Sequence, residues 1–177
     1  MKLRLSDTDT AYAFIAGTGR EGERHTVSLL LPELFREMDP ATLCVDHTPE
    51  GKPLIPGYSG HISISHGGGT AIIARNDHTP IGIDIEAPRP QLERVMRRFV
   101  GDKDFIRGDR PLLDWLLALW TAKEAVYKAA STPGLALAAI AIVNPCLAVL
   151  PDGREYHLTT YPCDGNLITL AEQIPGK

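Results

Sequence analysis

Between residues 111 and 130 the apolar side chains wrap most of the way round what reads as one long helix. Pro111 suits a first-turn position, and Pro133-Gly134 stops the run. A helix of this kind must be central and largely buried, so the rest of the chain has to pack around it. Yet from Leu112 to Ala130 it carries four charges: Asp114, Lys123, Glu124 and Lys128. Trp120, Glu124 and Lys128 follow each other at i, i+4 and i+8 and share one face, with Lys123 at its edge. At a surface such a Glu–Lys pair is common and contributes only about 0.3–0.5 kcal/mol. On a helix with so few polar residues, the charges need partners or a charged ligand.

A second segment raises the same question. Residues 61–66, 70–75 and 81–86 read as three strands. Gly67-Gly68-Gly69 and Asn76-Asp77-His78-Thr79-Pro80 form the turns, which predicts a meander. The third strand ends Gly82-Ile83-Asp84-Ile85-Glu86. Residues two apart on a strand point the same way, so Asp84 and Glu86 lie side by side. Paired carboxylate oxygens suit Mg²⁺, a hard ion that keeps several waters and shares substrate phosphates. Taken alone, such a pair more often marks a solvated strand end, since short motifs match by accident.

Elsewhere, residues 17–37 read as a helix that Pro32 kinks or splits. Residues 42–60 read as a Pro- and Gly-rich loop with a short strand at 42–46. Residues 90–99 read as a helix, and 139–149, 154–161 and 167–174 as three strands. This order predicts an α+β fold, with two halves joined near residues 76–80. The expected division is an N-terminal half at 1–76 and a C-terminal half at 77–177, together one compact unit.

The bulk composition narrows the function. The chain has 177 residues, 44% of them hydrophobic, enough to bury a core. A net charge of −4 argues against general nucleic-acid binding, so local basic groups must meet any anionic ligand. Cys44, Cys146 and Cys163 show no CxxC spacing and read as reduced thiols in a cytoplasmic protein. The first residues lack the apolar run of a signal peptide, and the longest apolar stretch, residues 135–143, is too short to span a membrane.

Two weaker signals precede the carboxylates. Ile62-Ser63-Ile64-Ser65-His66 ends a strand at the triple glycine, whose N–H groups can turn toward an anion while His66 adds a donor. Gly51-Lys52-Pro53 holds a lysine in the preceding loop. Alone, the first is a hairpin turn and the second a solvated loop.

In this order and spacing, Gly51-Lys52-Pro53, Ser65-His66, Gly82-Ile83-Asp84-Ile85-Glu86 and the residues 120–128 (Trp-Thr-Ala-Lys-Glu-Ala-Val-Tyr-Lys) resemble the 4′-phosphopantetheinyl transferases, in particular the surfactin-synthetase-activating type. The resemblance covers residues 51–130 well. It implies an α+β fold of two similar halves with pseudo-two-fold symmetry and the site in the cleft between them. It implies Asp84, Glu86 and Glu124 as Mg²⁺ ligands, and Lys52, Ser65, His66, Lys123 and Lys128 as contacts to coenzyme A. Glu124 and Lys128 would serve catalysis. The implied reaction moves the phosphopantetheine arm of coenzyme A onto a serine of an apo acyl or peptidyl carrier protein and releases adenosine 3′,5′-bisphosphate. It also implies a monomer, with no nucleic-acid or membrane partner, serving lipid or secondary-metabolite biosynthesis.

The chain departs from the family pattern in two places. It is shorter, chiefly in the first half, where Arg20 and Arg24 are the candidates for the 3′-phosphate. Family members carry a Phe followed by a Glu before the long helix, whereas here Phe99 is followed by Asp102 and Asp104. Residues 89–110 hold Arg89, Arg94, Arg97, Arg98, Lys103, Arg107 and Arg110 against four acidic residues, a basic face able to steer an acidic carrier. The alternatives are a non-catalytic coenzyme A or carrier-binding module on the same fold and, third, a different Mg²⁺-dependent diphosphate hydrolase.

Overall fold

The computed structural model describes residues 2–5, 8–15 and 19–176. Among them the protein is a mixed α+β structure built on two antiparallel sheets. The first sheet joins β1 (Lys2–Leu5), β2 (Thr8–Phe14), β6 (Thr70–Asn76) and β5 (His61–Gly67), in that order. Helix α1 (Gly19–Leu34) covers it, burying Val27, Leu30, Leu31 and Leu34 against Ala11, Ile62 and Ile73. Between α1 and β5 the chain forms a two-residue ladder of β3 (Asp46–His47) and β4 (Pro53–Leu54).

The second sheet runs β7 (Ile81–Glu86), β11 (Asn166–Gln173), β10 (Glu155–Cys163), β9 (Leu147–Val149) and β8 (Ala141–Asn144). After β7 comes the short α2 (Gln91–Val95), then the long α3 (Leu112–Ala130), which lies against the sheet. α3 is as central as its pattern requires: Leu116, Leu119, Ala125 and Val126 are fully buried. Its approach to β7 is set at Gly82, where an added Cβ would stand 1.9 Å from the Ala125 carbonyl oxygen. Ser131, in left-handed backbone at φ 47°, ends the helix before Pro133 is reached.

Three expectations change. α1 is unbroken: it runs through Pro32 in its last turn, and Phe35 N–H still reaches the Leu31 carbonyl at 2.9 Å. The start of that helix at residues 17–18 lies outside the described residues. The meander stops after two strands: β5 pairs with β6, but β7 leaves for the second sheet and pairs with β11. Asn76 makes the crossing tight, its Oδ1 accepting from the N–H groups of His78 and Thr79. Finally, the single strand expected at 139–149 is the hairpin β8–β9, turned where Asn144 Oδ1 accepts from Cys146 N–H.

β5 and β7 are end strands of different sheets and share no backbone ladder. Side-chain hydroxyls join them instead. Ser63 Oγ accepts from Ile83 N–H at 3.0 Å and Ser65 Oγ from Ile85 N–H at 3.4 Å. Both strands have a two-residue period, so alternate hydroxyls meet alternate N–H groups. Isoleucines 72, 81, 83, 85 and 168 fill the space between the sheets. Among the described residues no helix is long and apolar enough to cross a membrane.

Candidate active site

Asp84 is buried near the middle of the structure, on β7. Its Oδ1 accepts from Ser65 Oγ at 2.8 Å and from Lys128 Nζ at 2.8 Å. Lys128 also donates to Ser65 Oγ at 2.9 Å and to the Ile83 carbonyl at 3.0 Å. The other oxygen, Asp84 Oδ2, is buried and has no hydrogen-bond partner.

Glu86, two residues on, is half-buried and held by its Oε1, which accepts from Arg89 at 3.0 Å and from Trp120 Nε1 at 3.3 Å. The Arg89 guanidinium lies over the Trp120 ring, 5.4 Å from its centroid. Burial pushes the Glu86 carboxyl upward, Arg89 opposes that, and the Asp84 charge adds to it. Glu124 lies in the same field. Burial pushes its carboxyl up and the charges of Asp84 and Glu86 push further, against the pull of Lys128 and Arg89.

Three mutually repelling carboxylates thus occupy one region. Among the described residues no group of three His, Cys, Asp or Glu side chains converges to metal-ligand spacing. Like charges resist convergence, and Glu86 is drawn aside to Arg89 and Trp120. The donor chemistry still suits a hard divalent cation: oxygen ligands only, one of them a buried carboxylate oxygen left without a partner. Asp84, Glu86 and Glu124 are the residues that would hold it.

Beside this cluster opens a cavity of about 1050 Å³. Arg24, His47, Lys52, His66 and Lys128 contribute its cationic and imidazole lining, and Tyr127 and Thr132 close its α3 side. Burial alone pushes the Lys52 ammonium below its ordinary range, a cost that an anionic ligand would offset. His61 is lowered too, by burial and then by the Lys52 charge. Lys128 is the residue that lines the cavity and also touches Asp84; the three carboxylates themselves lie outside the lining.

Three expected site residues are used otherwise. Lys123 points away, with no exposed surface, and its Nζ pairs with Asp104 at 2.8 Å and donates to the Ile140 carbonyl at 2.6 Å. One residue along a helix is a turn of about 100°, which takes Lys123 off the face that Glu124 and Lys128 share. Asp104 also accepts from the N–H groups of Gly101 and Ile142. It therefore does structural work in the segment where the pattern after Phe99 looked displaced. Ser65 and Lys128, expected on phosphates, are both turned onto Asp84. Arg24 reaches the cavity, while the side chain of Arg20 lies outside the described residues.

Sequence reasoning missed Arg89 as the partner of Glu86. The signal was the i+3 spacing after the strand end. It also missed Asp104 as the partner of Lys123, for which the eighteen intervening residues gave no local cue.

A sequence model of the 4′-phosphopantetheinyl transferase superfamily matches residues 80–161. A 4′-phosphopantetheinyl transferase of Bacillus subtilis is 34% identical over 105 residues, 56% of this chain and 46% of that relative. The 4′-phosphopantetheinyl transferase Sfp of Bacillus subtilis strain 168 is 37% identical over 83 residues, 44% of this chain and 37% of that relative. The matches span less than half the length of either relative. The Asp84–Glu86 strand and the Glu124 helix both fall inside the residues that the superfamily model matches, so this part of the chain is similar to the 4′-phosphopantetheinyl transferases.

Proposed function

We propose that this protein transfers the 4′-phosphopantetheine arm of coenzyme A to a serine of an apo acyl or peptidyl carrier protein, with Mg²⁺, releasing adenosine 3′,5′-bisphosphate. The observation that carries the reading is the unpartnered, buried Asp84 Oδ2 in a field shared with Glu86 and Glu124, next to a cavity lined by Arg24, Lys52, His66 and Lys128. Cavity volume and cationic lining suit a bulky polyphosphate ligand.

In this reading coenzyme A occupies the cavity, with Lys52 and His66 on its phosphates. Bound at Asp84, Glu86 and Glu124, Mg²⁺ would neutralise the diphosphate and ease departure of the leaving oxygen. The chain's own contribution is mainly positioning and charge. The raised Glu124 carboxyl is the candidate to take the serine proton, since a base raised toward the working pH is better matched to that task. The serine oxygen then bonds to the phosphorus carrying the pantetheine arm, and the bond from that phosphorus to the bisphosphate oxygen breaks. Two similar halves, 1–76 and 77–177, related by a pseudo-two-fold axis about a shared cleft, are consistent with one sheet and one long helix in each. A monomer acting in the cytoplasm follows from the same reading. The basic segment, with Arg94, Arg97, Arg98, Lys103, Arg107 and Arg110 all exposed, is the proposed face for an acidic carrier.

The test is the intact mass of an apo carrier protein after incubation with this protein, coenzyme A and Mg²⁺. A gain of one phosphopantetheine, lost on chelation, supports the reading. A second reading, a non-catalytic binder of coenzyme A or of a carrier, is favoured by one observation: the three carboxylates stand wider than metal-ligand spacing. It predicts coenzyme A binding by calorimetry with no mass gain on any carrier. Turnover of coenzyme A without an acceptor protein would indicate a hydrolase.

A further inference from the structure

The hydrogens of Ser65 and Lys128 are all in use. A serine hydroxyl has one donor and two acceptor positions, and an ammonium has three donors. Ser65 Oγ donates to Asp84 Oδ1 and accepts from Lys128 Nζ and Ile85 N–H. Lys128 Nζ donates to Asp84 Oδ1, Ser65 Oγ and the Ile83 carbonyl. Neither group retains a hydrogen for a phosphate. Both converge on the same carboxylate oxygen and leave Oδ2 bare.

We propose that Ser65 and Lys128 are positioning residues that fix the Asp84 carboxylate by Oδ1 and present Oδ2 alone, as a monodentate oxygen, to a divalent cation. This rests on the metal site of the proposed function and deepens it. A ligating carboxylate whose second oxygen is hydrogen-bonded keeps one orientation, so the metal need not order it on binding. The arrangement has a further consequence. Ser65 stands on β5 in the first sheet, whereas Asp84 stands on β7 in the second. Gly67 permits the approach: a Cβ there would meet the Ile85 carbonyl oxygen at 2.0 Å. The orientation of the metal ligand is therefore governed by the register between two strands that share no backbone ladder. Ser63, repeating the contact two residues earlier at Ile83, locks that register.

The experiment separates positioning from phosphate contact. Mn²⁺ binding, read from the free-ion paramagnetic resonance signal, is measured without coenzyme A. Coenzyme A binding is measured by calorimetry in the presence of chelator. Ser65→Ala is expected to weaken Mn²⁺ binding about 10- to 100-fold, the usual effect of losing a partner of a metal ligand, with metal-free coenzyme A affinity unchanged. The opposite split, intact Mn²⁺ binding and weakened metal-free coenzyme A binding, makes Ser65 a phosphate contact and overturns the proposal. If Ser65→Ala does not fold, Ser65→Cys keeps the shape with a poor hydrogen-bonding group and is read by the same two measurements. A parent protein that binds no Mn²⁺ removes the metal site and this inference together. A parent that binds Mn²⁺ but modifies no carrier overturns only the activity.

Discussion

Lys123 Nζ and Asp104 Oδ2 lie 2.8 Å apart with both side chains shut off from solvent. The pair ties the centre of α3 to the loop before it. The Asp104 contacts to Gly101 and Ile142 then fasten that loop to β8. A buried pair of this kind is weak grounds for net stability, but breaking it is costly because one charge remains without compensation.

Asp104→Ala is accordingly expected to destabilise the fold by about 3–5 kcal/mol. Chemical denaturation checks this. A loss within the range of a surface pair, about 1 kcal/mol or less, would mean that Lys123 finds another partner.

Glu124→Gln should abolish transfer to the carrier while raising the stability of the metal-free protein at neutral pH. The sign follows from the raised carboxyl. A folded-state pKa above the unfolded one means that the native state prefers the protonated form. Stability from that group is present below the unfolded pKa and is lost as pH rises through the folded pKa. Thermal melts of parent and variant should differ near pH 7 and converge toward about pH 4, where the unfolded carboxyl also protonates. A variant that melts below the parent at neutral pH would count against the carboxylate cluster.

Asp84→Ala should weaken both activity and Mg²⁺ dependence. An unchanged Mg²⁺ titration, with activity merely scaled down, would remove Asp84 from the metal site. The variant also leaves Lys128 without its carboxylate, so its stability must be measured alongside.

Reversing Arg94, Arg97 and Arg98 to Glu should cut carrier use at least tenfold at low salt, with the deficit shrinking as salt screens the field. Coenzyme A affinity should stay as in the parent, since none of the three lines the cavity. An equal loss of both would dismiss this face as the docking surface.

Much of this was legible locally. The identity of α3, its burial and the shared face of Trp120, Glu124 and Lys128 follow from a 3.6-residue period; the pairing of Asp84 with Glu86 follows from a period of two. β1 and β2 were missed because β1 alternates over only four residues and β2 opens on the polar run Thr8-Asp9-Thr10. The departure of β7 from its neighbours was missed because adjacent hairpin-like strands read as a meander whichever sheet they join. Glu124 and Glu86 read as interacting only through the family pattern, since 38 residues separate them.

The sequence by itself determined which residues share a helix face or a strand face, because backbone geometry sets those periods without outside help. It also determined that several charges would be buried, because the surrounding residues are apolar. Only the tertiary structure decided how the hydrogens of those charges are spent. Lys123 goes to Asp104, and Lys128 goes to Asp84 with Ser65. A buried donor takes whatever acceptor the neighbouring strand or loop brings within reach, and that neighbour is chosen by the packing of the two sheets.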